Sequence, residues 1–153
     1  MPVNSAYAGR EYPPGPVYEV AREKLDEFAD AVGADHPLHR DADAARAAGY
    51  PDVIAPPTFA VVIAQRAEEQ YVGDPDAGVD FSRVVHAEER FSHHRPIHAG
   101  DRLVTVLHVD AIVERGGLSM VTTRAEIATE GGSAVARVVS TLAVRGADPE
   151  VGA

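Results

Sequence analysis

The stretch that decides the fold is residues 58–72, with the sequence TFAVVIAQRAEEQYV. Its first half, residues 59–64, is apolar at every position, and neither proline nor glycine interrupts the segment. A helix that is apolar on all sides is buried rather than laid on a surface. The second half, residues 65–70, is polar, and we expect it to emerge into solvent. The pattern predicts a central helix whose first turns lie inside the domain.

The composition limits the class of protein. The 153 residues, 45% of them hydrophobic and 25% charged, predict one globular domain that folds without disulfides. The chain has no cysteine, which excludes disulfides and thiolate catalysis. A formal net charge of −10 disfavours binding to nucleic-acid phosphates and anionic lipids. No apolar run approaches the roughly 20 residues that span a bilayer, and the N-terminus lacks a signal-peptide core. We expect a cytoplasmic protein.

The segment before the central helix predicts two shorter helices. Residues 12–16 carry three prolines and must be extended or turned. Residues 19–32 place apolar side chains at helical spacing opposite charged ones, which is typical of an amphipathic helix, and Gly33 suits its C-terminal cap. Asp41 suits the N-cap of a short helix over residues 42–48.

The remainder of the chain predicts strands. The three longest segments are residues 103–113, 118–128 and 134–144, joined by paired glycines at positions 116–117 and 131–132. Residues 81–85 and 90–94 are shorter strand candidates. An antiparallel sheet packed on one buried helix is an α+β architecture. We predict a single domain over residues 1–146 and a disordered tail over residues 147–153.

Three motifs resemble the MaoC-like family of (R)-specific hydratases and dehydratases. Residues 33–41, GADHPLHRD, follow that family's Gly-Asp-x-Asn-Pro-Leu-His-x-Asp pattern, and residues 54–59, IAPPTF, stand where its central helix begins. Residues 91–103 resemble its Phe-x-x-Pro-Val-x-x-Gly-Asp-x-Leu segment. The chain is most similar to accessory subunits of actinobacterial 3-hydroxyacyl-carrier-protein dehydratases. The resemblance implies a hot-dog fold, in which an antiparallel sheet wraps around a long buried central helix.

The resemblance also implies where a catalytic site would lie. In the family, an aspartate and a histidine five residues later hold a water and move its proton, and a glycine N–H at the helix start polarises the thioester carbonyl. His39 stands at the histidine position, but Ala34 replaces the aspartate and Pro57, which has no N–H, replaces the glycine. Asp35 lies one residue late and, with His39, forms the candidate catalytic pair.

The other candidate residues are expected to bind the substrate. Pro56, Pro57, Thr58, Phe59 and Arg95 are the candidate substrate-binding residues. Arg95, together with Arg40 and Arg102, is also a candidate for holding the phosphates of coenzyme A or a carrier protein.

Each candidate also has a structural interpretation. His39 can be an ordinary loop histidine, and Asp35 and Asp41 can simply cap helices. The proline pair at positions 56–57 suits a helix start whatever its function. The three histidines at positions 93, 94 and 98 lack a clear metal-binding frame, so no metal site is predicted. The paired glycines are turns rather than phosphate loops.

Four functions fit these patterns to different degrees. The first is the degenerate partner of a catalytic subunit in a 3-hydroxyacyl-thioester dehydratase or enoyl-thioester hydratase. The second is a homodimeric hydratase that uses Asp35 and His39, and the third is a non-catalytic protein that binds acyl thioesters. A thioesterase is discounted because residues 58–67 contain no carboxylate. The implied mechanism needs no metal or cofactor. The expected partners are an acyl thioester and a second hot-dog subunit, identical or related.

Overall fold

In the computed structural model, which describes residues 2–146, five antiparallel strands form one curled sheet around a helix. The strands are β1 (Tyr18–Glu19), β2 (Val84–His93), β3 (Arg102–Arg115), β4 (Leu118–Thr129) and β5 (Ala134–Arg145). Their order across the sheet is β1-β3-β4-β5-β2, so β1 and β2 form the two edges. The helices are α1 (Arg22–Val32), α2 (Ala42–Ala47) and α3 (Ala60–Val72). The predicted α+β hot-dog fold is confirmed, whereas the tail over residues 147–153 lies outside the described residues.

The central helix α3 packs one face against β3, β4 and β5. A 3-10 turn, Pro57–Phe59, leads into it, so the predicted start of the helical segment is correct to within a residue. Its buried residues recur every three to four positions, which keeps one helix face against the sheet along its whole length. They are Ala60, Ile63, Ala64, Ala67, Glu68 and Tyr71.

The expectation that residues 65–70 emerge into solvent is wrong for Ala67, which is buried, and for Glu68. The Glu68 side chain is only 5% exposed, and Thr123 Oγ1 on β4 donates a hydrogen bond to its Oε1 at 2.7 Å. Burial raises the pKa of the Glu89 carboxyl, and the negative charge of nearby Glu68 raises it further. The helix repeat carries position 68 onto the sheet-facing side, and the threonine partner makes a buried carboxylate tolerable there.

The predicted short strand over residues 81–85 is wrong in its first half. Phe81–Arg83 is a 3-10 turn, and a single strand, β2, then runs from Val84 to His93. Its pairing with β5 shifts register between His86 and Glu88. Such a bulge interrupts the alternation of inward and outward residues, which is why the sequence pattern indicated two weak pieces.

The caps and turns that position the loops are as predicted, but helix α1 begins at Arg22 rather than at residue 19, because residues 18–19 pair with β3 as strand β1. Gly33 caps α1 in the left-handed conformation at φ 69°, and Asp41 accepts N–H bonds from Asp43 and Ala44 at the start of α2. Gly116 and Gly117 both have positive φ in the β3–β4 hairpin. Residues 12–16 run extended along β3. No helix within residues 2–146 is long and apolar enough to cross a membrane.

An aromatic cluster anchors the first turn of the central helix. Phe59 is 0% exposed, its ring centroid lies 5.3 Å from that of Phe28 on α1, and Tyr18 on β1 lies at 6.4 Å. The edge-to-face geometry of Phe28 and Phe59 is favourable for aromatic rings. The cluster ties α1, β1 and the start of α3 together.

Replacing Phe59 with alanine should therefore lower the free energy of unfolding by about 3–5 kcal/mol, as for other buried phenylalanines. Phe81→Ala is the matched control, because Phe81 is 66% exposed, and it should cost less than about 1 kcal/mol. Urea denaturation followed by circular dichroism measures both. Equal, small losses in the two variants would contradict a core role for Phe59.

Candidate functional site

A cavity of about 420 Å³ lies where the hydratase-like motif meets the start of the central helix. It is lined by His39, by residues 54–57 and by residues 93–97. We call this cavity the motif cleft. Its walls are held together by backbone hydrogen bonds: the Ala55 N–H donates to the Ile97 carbonyl at 2.7 Å, and the Ile54 N–H donates to the Leu38 carbonyl at 2.9 Å. These hydrogen bonds therefore hold together the three chain segments that line the motif cleft.

His39 is the one predicted catalytic residue that lines the motif cleft. Its Nδ1 lies 2.7 Å from the Ile54 carbonyl oxygen. A carbonyl only accepts hydrogen bonds, so Nδ1 carries the proton and the neutral ring keeps its lone pair on Nε2. A histidine held in this tautomer can accept a proton at Nε2.

Asp35 does not line the motif cleft. Its side chain is 94% exposed, and its ionic contact is with Arg40 Nη2 at 3.8 Å. Ala34, at the family's aspartate position, donates its N–H to the Ala29 carbonyl as part of the turn that ends α1. Among the described residues, the cleft is lined by histidine, arginine and apolar side chains, without a carboxylate. The structure thus brings His39 to a cleft whose described lining holds no carboxylate.

The helix start offers a carbonyl where the family offers a donor. Pro57 has no N–H, and its carbonyl oxygen lies 2.8 Å from Nε2 of His93 on β2. Pro56 and Pro57 line the cleft, as expected of substrate-binding residues. Thr58 and Phe59 are not part of its lining, because Thr58 faces solvent and Phe59 belongs to the core.

Arg95 lines the cleft, but its guanidinium is held by Asp101. Nη1 and Nη2 donate to the two Asp101 carboxylate oxygens at 2.9 and 2.8 Å, and the His98 N–H donates to the same carboxylate at 3.0 Å. Burial works to raise the pKa of Asp101, but these hydrogen bonds and charges outweigh it and hold that pKa below its usual value.

The other two candidate phosphate-binding arginines lie in ion pairs outside the cleft lining. Arg40 donates to Asp26 and Asp30 at 2.9 and 2.6 Å. Arg102 donates to Glu130 at 2.7 Å. An arginine already neutralised by carboxylates attracts a phosphate less strongly than a free one.

The sequence alone missed His93 and His94 as cleft residues. Both line the same cavity as His39, although they lie more than fifty positions further along the chain. Their place in the segment that resembles Phe-x-x-Pro could have indicated this position, because in the structure that segment lies beside the start of the central helix. Among residues 2–146, no group of three or more His, Asp or Glu side chains is placed to hold a metal ion.

Comparison with known proteins shows the family to which the chain belongs. Residues 6–138 match the model of the FAS1-like, dehydratase domain region. The chain belongs to this dehydratase family. It is 57% identical over 152 residues to a UPF0336 protein of Saccharopolyspora erythraea. The aligned region covers 98% of this chain and 97% of that protein.

Solved structures place this dehydratase domain among MaoC-like proteins, which confirms the resemblance. It is similar to a chain of the C-terminally truncated HadBC complex, a 3R-hydroxyacyl-ACP dehydratase of Mycobacterium tuberculosis: the TM-score is 0.80 and the identity 32%, covering 90% of this chain and 96% of that one. It is also similar to a MaoC-like dehydratase with a TM-score of 0.86 and 33% identity, covering 94% of this chain but 44% of the longer neighbour.

The Arg95–Asp101 pair gives a testable stability contribution. Asp101→Asn should lower the free energy of unfolding at pH 7 by about 2 kcal/mol, since it weakens a largely buried charge pair. Because the pKa of Asp101 is lowered on folding, its contribution is present above the unfolded-state pKa of about 3.9 and is lost as pH falls through the folded-state value.

The difference between wild type and Asp101→Asn, measured by urea denaturation, should therefore shrink below about pH 4. Asp110→Asn is the control, because Asp110 forms a more exposed pair with Arg124 and should cost less than about 1 kcal/mol. A difference at pH 7 no larger than that of the control would show that Arg95 is not held by Asp101.

Proposed function

We propose that the chain is the accessory subunit of a heteromeric (R)-3-hydroxyacyl-thioester dehydratase or trans-2-enoyl-thioester hydratase. The observation that carries the proposal is the composition of the motif cleft: an oriented imidazole, His39, faces a cavity that no described carboxylate lines. Adding or removing water at a 3-hydroxyacyl thioester requires one group to take the proton next to the carbonyl and another to assist the hydroxyl. This cleft supplies at most the first.

The helix start supports the same conclusion. Hydration develops negative charge on the thioester oxygen, which a positioned N–H stabilises. Position 57 has no N–H, and its carbonyl accepts a bond from His93. Loss of one such donor typically costs about 10²–10³ in rate. The complete set of catalytic groups would then come from a second, MaoC-like subunit that carries the aspartate, the histidine and the glycine.

The sheet edge supports a partner. Strand β2 is ten residues long and lies at the edge of the sheet, where no other strand of residues 2–146 pairs with its outward N–H and C=O groups. Val85 on this strand and Phe81 just before it are each 66% exposed. Long edges with exposed apolar side chains promote association, and a second hot-dog subunit would cover this one. HadBC, to which the chain is similar, is itself a complex.

Within such an assembly, the chain would shape the acyl-thioester site. Pro56, Pro57 and Arg95 line the motif cleft and are the proposed substrate contacts. Phe59 would contribute indirectly, by holding the first turn of α3 in place. A self-sufficient homodimer that uses Asp35 with His39 is disfavoured, because the Asp35 carboxylate faces solvent.

The accessory role predicts that His39→Ala, assembled with a motif-complete MaoC-like partner, changes kcat/KM for an enoyl thioester by less than about fivefold. His94→Ala, another residue of the same cleft, is the matched control. Steady-state kinetics of the purified complexes measure both. A loss beyond about 100-fold for His39→Ala alone, equivalent to about 2.7 kcal/mol of transition-state stabilisation, would instead make His39 catalytic.

Restoring the missing groups tests the same idea in the opposite direction. The double variant Ala34→Asp, Pro57→Gly should raise hydration by the chain above background, because it returns the carboxylate and the N–H to their family positions. The single variants, each supplying one group, serve as controls. No gain in a folded double variant would show that the two substitutions alone do not explain the missing activity.

A further inference from the structure

A second cavity, of about 550 Å³, opens along the middle of the central helix. It lies between residues 14–18 of the N-terminal segment, the middle of α3 and Thr105 on β3. It shares no lining residue with the motif cleft. Its volume is within the roughly 300–1,000 Å³ range of small-ligand sites.

The interior of this second cavity is apolar. Ile63 and Ala67, both buried residues of α3, line it together with Val17 and the prolines at positions 14 and 16. Proline, valine and isoleucine present rigid hydrocarbon surfaces that lose little entropy when a ligand covers them. Such walls favour a hydrocarbon chain over a polar ligand.

The mouth of the cavity carries an arginine that lacks an acidic partner. Arg66 is exposed on α3, and its guanidinium lies 4.9 Å from the ring centroid of Tyr18, which also lines the cavity. Most arginines of this acidic chain form ion pairs, as Arg22 does with Asp52. No carboxylate within residues 2–146 forms an ion pair with Arg66. The aromatic ring orients the guanidinium over the opening and leaves its N–H donors available.

We propose that this second cavity binds the anion of a fatty acid, with Arg66 holding the carboxylate and the apolar walls holding the alkyl chain. A guanidinium offers two parallel donors to a carboxylate. Gln70 also lines the cavity, where its amide Nε2 donates to the Ala67 carbonyl at 3.4 Å, and the negative charge of Glu69 opposes the binding of a second anionic group. The ligand therefore has one negative end and an otherwise apolar body.

Titration calorimetry of the full chain tests this site, with dodecanoate and dodecyltrimethylammonium used below their critical micelle concentrations and dodecanol below its solubility limit. Dodecanoate should bind most tightly. Arg66→Gln should weaken its binding at least about tenfold, because a charge-assisted contact is lost, and Arg66→Lys should retain part of it. Arg115→Gln is the matched control, since Arg115 is likewise exposed and outside both cavities, and it should bind as wild type does.

Two further variants locate the ligand. Ala67→Leu, which fills the cavity, should weaken both dodecanoate and dodecanol, with folding checked by a thermal melt. His39→Ala should bind dodecanoate normally. Equal affinity for the acid and the alcohol, tighter binding of the cation, wild-type binding by Arg66→Gln, or loss of binding only in His39→Ala would each overturn the proposal. The subunit role rests on the motif cleft, so it would survive such a failure.

Discussion

The packing of the central helix into the curled sheet is the constraint on which the rest of the structure depends. Burial of one face of α3 against three strands fixes where both of its ends lie. The Pro57 turn at one end is placed beside His39 and the end of β2, and the middle of the helix closes the second cavity. Any change in the helix position would alter both sites, because protein interiors are close-packed.

Long periodic segments made most of the fold predictable. The apolar run at positions 59–64, the glycine pairs at the hairpins and the Asp41 cap each combine a local preference with a single structural outcome. The errors fall where tertiary contacts override the local pattern. Glu68 lies on the sheet-facing side of α3, and its burial is tolerated because Thr123, far away in sequence, donates a hydrogen bond to it. The sequence pattern predicts two short strands where the structure has the single strand β2, because the bulge in β2 interrupts the alternation of inward and outward residues.

The candidate site was predictable in part. The motif pointed to His39, Pro56 and Pro57, and all three line one cavity in the structure, because a resemblance over contiguous residues carries a shared local geometry. It did not locate His93 and His94, whose position beside the helix start depends on how the sheet curls. Nor did the motif indicate that Arg95 is held by Asp101, since a bidentate ion pair requires relative orientations that spacing does not encode. The direction of Asp35 likewise depended on the course of the loop.

The most direct test of the accessory role is hydration of crotonyl-coenzyme A, followed by the loss of enoyl absorbance. The pure chain and the chain purified with a motif-complete MaoC-like partner are compared at equal concentration. We expect no turnover above background from the chain alone, and clear turnover from the pair. Turnover by the chain alone that disappears in His39→Ala would contradict the accessory role and show a self-sufficient hydratase.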